Sequence, residues 1–113
     1  MPFLNWPQDA KKFSCFKVQV GVVSGDNSYL TNSYIELDSM NIYEVDGPSG
    51  MPRKQAPLVA LEYMRIIDDN PECNLILTFN NDIQMVLNAV SFTDRERLIA
   101  CTMTLRGFAL AKM

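Results

Sequence analysis

Apolar and polar positions alternate with a period of two from Phe16 onward: Phe16, Val18, Val20 and Val22 share one face, and Lys17, Gln19 and Gly21 the other. Successive side chains of a strand point to opposite faces, so the pattern predicts a half-buried strand over residues 14–24. Ser24, Gly25, Asp26, Asn27 and Ser28 tolerate unusual backbone angles and predict a turn. A second extended stretch is expected over residues 29–45. Ile35 and Leu37 share a face there, but Met40 and Ile42 have the opposite parity, which predicts a bulge or break near Asp38 and Ser39.

Residues 46–56 contain Gly47, Pro48, Gly50 and Pro52 and read as an exposed loop. Pro57 suits the first turn of a helix. Ala60, Tyr63, Met64 and Ile67 recur at helical spacing, with Leu58 and Leu61 widening the stripe, and Pro71 stops the pattern. Alternation returns over residues 73–79 and 83–92, with Asn80, Asn81 and Asp82 between them, and predicts a hairpin. Thr93-Asp94-Arg95-Glu96 matches a capping box and predicts a helix over residues 94–112 with Leu98, Cys101, Leu105 and Ala109 near one face. Alternation of Ile99, Cys101, Met103 and Leu105 leaves a strand as the alternative for this last element, and Gly107 weakens the helix by about 0.5–1 kcal/mol relative to alanine. The expected fold is α+β: an antiparallel sheet of about four strands with two helices on one face, in the order β-β-α-β-β-α.

A length of 113 residues fits a single domain over residues 1–113. Within it, residues 1–12 read as an irregular N-terminal arm punctuated by Pro2 and Pro7. Phe3, Leu4 and Trp6 are costly to leave in water, since burying a large apolar side chain is worth about 1.5–3 kcal/mol. The arm is therefore expected to pack on its own domain or on a second subunit. Apolar content of 48% with 20% charged residues suits a compact globule. The net charge of −3 argues against indiscriminate binding to nucleic acid or to an anionic membrane.

The chain has no histidine, the commonest general base and metal ligand. That removes zinc-hydrolase and histidine-activated nucleophile chemistry. Cys15, Cys73 and Cys101 lie far apart with no metal-ligand spacing and read as small buried hydrophobes, which favours a reducing, cytoplasmic location. The start of the chain lacks a signal-peptide pattern, and no apolar run is long enough to span a bilayer, so no membrane is expected as a partner. The carboxylate pairs Glu36/Asp38, Glu44/Asp46 and Asp68/Asp69 read as solvated faces rather than metal ligands. The glycines at 47 and 50 are followed by no Walker lysine. No catalytic, cofactor-binding or metal-binding residue is expected, and the chain reads as a non-enzyme.

Charge is unevenly distributed. Residues 26–46 hold five acids and no base, whereas bases gather at Lys11, Lys12, Arg53, Lys54, Arg95 and Arg97. With the first strand beside the last helix, these six would form a positive face, and Tyr34 and Tyr43 would offer stacking surfaces for single-stranded bases. The same segregation of charge, the second apolar face of the hairpin and the seven adaptable methionines favour self-association more directly. The expected function is a non-enzymatic binding or assembly protein acting through protein–protein contacts, as a homodimer or higher oligomer. Single-stranded nucleic-acid binding is the second reading. The methionine- and asparagine-rich composition would suit a small viral or phage accessory protein.

Overall fold

A computed structural model describes residues 16–23 and 29–113. The expected arm over residues 1–12 and the turn over 24–28 lie outside these residues. Seven strands and one long helix follow in order: β1 (Phe16–Val23), β2 (Tyr29–Leu37), β3 (Asn41–Asp46), β4 (Pro52–Pro57), β5 (Leu61–Ile66), β6 (Leu75–Phe79), β7 (Gln84–Ala89) and α1 (Phe92–Ala111). All strands join one antiparallel sheet in the order β4-β3-β2-β1-β7-β6-β5. β1 is the seam between two meanders. It pairs with β2 along its length and with β7 from Val20 to Val22.

That order dictates the shape. β4 and β5 are the two edges of the sheet, yet only the 3-10 turn Leu58–Ala60 joins them. So short a link forces the sheet to curl until its edges approach each other. The Leu58 N–H donates to the Met40 carbonyl and the Asn80 N–H to the Ala60 carbonyl, both at 2.8 Å, tying the link to both meanders. The bend in β1 falls at a register shift between Val20 and Val22. A Cβ on the intervening Gly21 would run into the Tyr29 ring, whose hydroxyl accepts from Asn88 Nδ2 on β7 at 2.9 Å.

The concave face carries the core. Val20, Ile35, Leu37, Ile42, Leu75, Leu77, Met85 and Leu87 are fully buried there, and α1 closes the hollow with Leu98. The helix packs on the Leu58–Ala60 turn, β1 and β7. Among the described residues no helix is long and apolar enough to cross a membrane.

Four strands and two helices are therefore replaced by seven strands and one helix. The helix expected after Pro57 is the 3-10 turn followed by β5. A register shift between Leu61 and Tyr63 sets both Leu61 and Met64 toward the core, three residues apart, which imitates helical spacing. The single extended stretch over 29–45 is a β2–β3 hairpin broken at Asp38–Met40, where the parity changes. The loop over 46–56 is only a turn at 47–51 followed by β4, an edge strand in which Ala56 alone is buried. The last element is a helix rather than a strand. Its N-cap is Ser91, whose hydroxyl accepts from the Asp94 N–H at 3.1 Å, two residues before the expected Thr93.

Candidate functional site

The basic residues singled out from the sequence fall into separate places, and Lys11 and Lys12 lie outside the described residues. Arg53 and Lys54 are neighbours on β4. The Arg53 guanidinium meets Asp46 Oδ1 at 2.9 Å, Glu44 Oε2 at 3.4 Å and the Ser33 hydroxyl. Two carboxylates thus neutralise one cation at the inner rim of the sheet. Hydrogen bonds from the Ser49 hydroxyl and amide, with help from Arg53, hold the Asp46 carboxyl below its ordinary range. Lys54 reaches across the curl to donate to the Gln84 carbonyl at 2.7 Å.

Arg95 sits in the first turns of α1 and is almost wholly covered. Its guanidinium donates to Asp68 Oδ1 at 3.1 Å and to the Asn74 and Ile67 carbonyls at 3.3 and 3.4 Å, pinning the helix to the β5–β6 connection. Arg97 stacks over the Phe16 ring. The pairs Arg53/Lys54 and Arg95/Arg97 share no contact. Tyr34 and Tyr43 are diagonal neighbours on the outer face of the sheet. Tyr34 lies beneath the Lys17 ammonium, 4.6 Å from its ring centre, and the Tyr43 hydroxyl donates to Asp38 Oδ2 at 2.6 Å.

The sequence reading did not single out the groove between β5 and α1. Arg95 fixes the start of the helix against Ile67, and Met103 and Arg106 lie beside Leu61–Met64, so α1 runs antiparallel to β5. Between them lies a hollow of about 220 Å³ lined by Leu61, Glu62, Tyr63, Met64, Met103 and Arg106. A second hollow of about 260 Å³ sits at the other end, between Phe92 and the connection 67–74. Apolar side chains stand open along this track: Tyr63 is 58% exposed, Ile66 50% and Met103 46%. Arg106 Nε is covered and has no hydrogen-bond partner.

β5 is also an edge with unused backbone groups. Ile67 N–H donates to the Asn74 carbonyl, and the register pairs Arg65 with Ile76 and Tyr63 with Thr78. Hydrogen-bonded and non-bonded pairs alternate in an antiparallel ladder. The N–H and C=O groups of Met64 and Ile66 therefore point away from β6, and among the described residues no ladder takes them up. The opposite edge is different: β4 begins and ends with Pro52 and Pro57 and carries Arg53 and Lys54, which discourages strand pairing. The site can accept an extended chain along β5 and hold its apolar side chains against the helix. Among the described residues no group of three or more Cys, Asp or Glu side chains is placed to hold a metal ion.

No protein-family model matches the chain, and no curated protein sequence matches it. Solved structures do. The chain superposes on the pleckstrin homology (PH) domain of human KIAA0053 protein with a TM-score of 0.64 and 16% identity, over 85% of this chain and 88% of that one. On the PH domain of human oxysterol-binding protein-related protein 11 the values are 0.66 and 10%, over 85% and 83%. The C-terminal domain of an unknown protein from Leishmania infantum gives 0.67 and 9%, over 92% and 93%. The likeness is one of fold: a curled antiparallel sheet of seven strands closed by a C-terminal helix.

Proposed function

We propose that the chain is a non-catalytic binding module that takes an extended segment of a protein partner along β5, adding it to the sheet as an eighth strand. Domains of this fold serve as protein- or lipid-binding modules. The observation that carries the protein reading is the asymmetry of the two edges. β4 is guarded by prolines and charges, whereas β5 presents free backbone groups beside an open groove in which Leu61, Tyr63, Met64 and Met103 are joined by Glu62 and Arg106. Strand addition draws affinity from main-chain hydrogen bonds and specificity from pockets for alternate side chains. The preferred segment has apolar residues at alternate positions, facing Met64, Ile66 and Met103.

An anionic lipid headgroup or a nucleic acid would need uncommitted cations. Of the basic residues singled out from the sequence, the described ones are engaged: Arg53 is neutralised by Glu44 and Asp46, Lys54 and Arg95 serve backbone carbonyls, and Arg97 covers Phe16, while Arg65 and Lys112 are exposed elsewhere and Arg106 lies in the β5 groove. With a net charge of −3, these engagements weigh against both readings. Self-association belongs to the same surface, with a second copy supplying the added strand.

The test uses a proline. Ile66→Pro deletes an N–H that faces away from β6, a position where an edge strand tolerates proline. The variant should keep its melting temperature and lose at least about tenfold in affinity, about 1.4 kcal/mol, for peptides selected from a random library on the parent domain. The same peptides should slow hydrogen exchange at the Met64 and Ile66 amides. Peptides that bind parent and variant equally well would overturn the proposal. If the domain alone sediments as a dimer that Ile66→Pro returns to monomer, the strand comes from a second copy.

A further inference from the structure

The hollow between β5 and α1 holds a cation that lacks a counter-ion among the described residues. Arg106 lines it and is half-buried, with its Nε covered and without an acceptor. Glu62 lines the same hollow, yet among the described residues no carboxylate lies within ion-pair distance of the Arg106 guanidinium. At the start of the same helix Arg95 meets Asp68 and two backbone carbonyls. Arg65, exposed on β5 opposite Ile76, adds a second positive charge along the edge. The edge is therefore locally basic, Arg65 and Arg106 against Glu62, although the whole chain carries a charge of −3.

We propose that, on the strand-addition reading of β5, Arg106 pairs with an aspartate or glutamate of the partner segment, placed on the C-terminal side of its apolar residues. A guanidinium offers a carboxylate two parallel N–H groups, and one that has already lost part of its hydration gives up less water on pairing. The position of the acid follows from the sheet. Every strand pair in it is antiparallel. An added strand that continues the pattern runs opposite to β5 and in the same direction as α1. Residues directly opposite each other in such a pair share a face. The segment residues opposite Ile66 and then Met64 therefore point toward the helix with them. The next residue on that face comes opposite Leu61 and Glu62, where Arg106 stands almost one helical turn beyond Met103. Read from its N-terminus, the segment carries an apolar residue, a second apolar residue two positions on, and an acid two positions beyond that.

Peptides selected from a random library on the parent domain supply the probes, each resynthesised with its acid changed to the matching amide. On the parent, that change should weaken binding about five- to tenfold. Arg106→Gln breaks no ion pair among the described residues and should keep the parent's melting temperature. Acid and amide peptides should bind this variant alike. Glu62→Gln removes the competing negative charge and leaves Arg106 in place. It should tighten the acid peptides and leave the amide peptides unchanged. Ile66→Pro keeps the two readings apart. If it abolishes binding while the acid-to-amide change costs the same on parent and Arg106→Gln, strand addition stands and the role of Arg106 falls. Binding that survives Ile66→Pro overturns both. Selected peptides without an acid, or with the acid on the N-terminal side of the apolar pair, overturn the pairing, and so does a selection that returns no peptide.

Discussion

One carboxylate organises the β2–β3 turn. Asp38 Oδ1 accepts from the Met40 and Asn41 amides at 2.9 and 2.7 Å, and its other oxygen accepts from the Tyr43 hydroxyl. Burial, and then the bond to Asp38, push the Tyr43 pKa up to about 12 from an ordinary value of 10. The folded state therefore favours the neutral phenol. Its contribution to stability is complete below pH 10 and is lost as pH rises from 10 toward 12. Tyr43→Phe should cost about 1 kcal/mol at neutral pH. It should also remove part of the alkaline loss, seen by comparing urea unfolding of the two proteins across that window. The break at Asp38 was legible because apolar parity flips there. The three bonds that make it a turn were not, since a lone aspartate between strands reads equally well as a solvated charge.

At the scale of elements, legibility followed regularity. β1, β6 and β7 alternate cleanly, and α1 is foreshadowed by the Thr93–Glu96 pattern, although its N-cap is Ser91 and only Arg95, Leu98, Thr102 and Ala109 are buried along it. β4 escaped because an edge strand with one buried residue looks like loop. β5 escaped because a bulge turned period two into period three. α1 also carries a removable weakness. A Cβ on Gly107 would meet no atom within 4 Å, so Gly107→Ala should stabilise the domain by about 0.5–1 kcal/mol, measured by chemical denaturation. Gly21→Ala, by contrast, should destabilise, because the new methyl group displaces the Tyr29 ring from β1 and with it the bond to Asn88. The candidate groove was not legible at all. Tyr63, Ile66 and Met103 are ordinary apolar residues until the topology leaves β5 at an edge.

For the molecule as a whole, the joint between the two meanders carries the shape. Leu58 is fully buried where the sheet curls back on itself and where the helix rests. Leu58→Ala should cost about 2–5 kcal/mol in thermal or urea unfolding, the range for emptying a close-packed core site. Such closure is invisible to any local window of sequence, because it follows from which strands pair and not from what each contains. The double pairing of β1 has a kinetic consequence as well. Its partner on one flank, β2, follows it directly, but its partner on the other, β7, comes near the end of the described chain. Contacts so far apart in sequence slow folding. As the chain leaves the ribosome, the first meander must wait with one flank of β1 open until Gln84–Ala89 arrives. During that interval Val20 and Val22, which end up fully covered, face water at a bare strand edge, and the newborn chain is most open to aggregation and to chaperone capture.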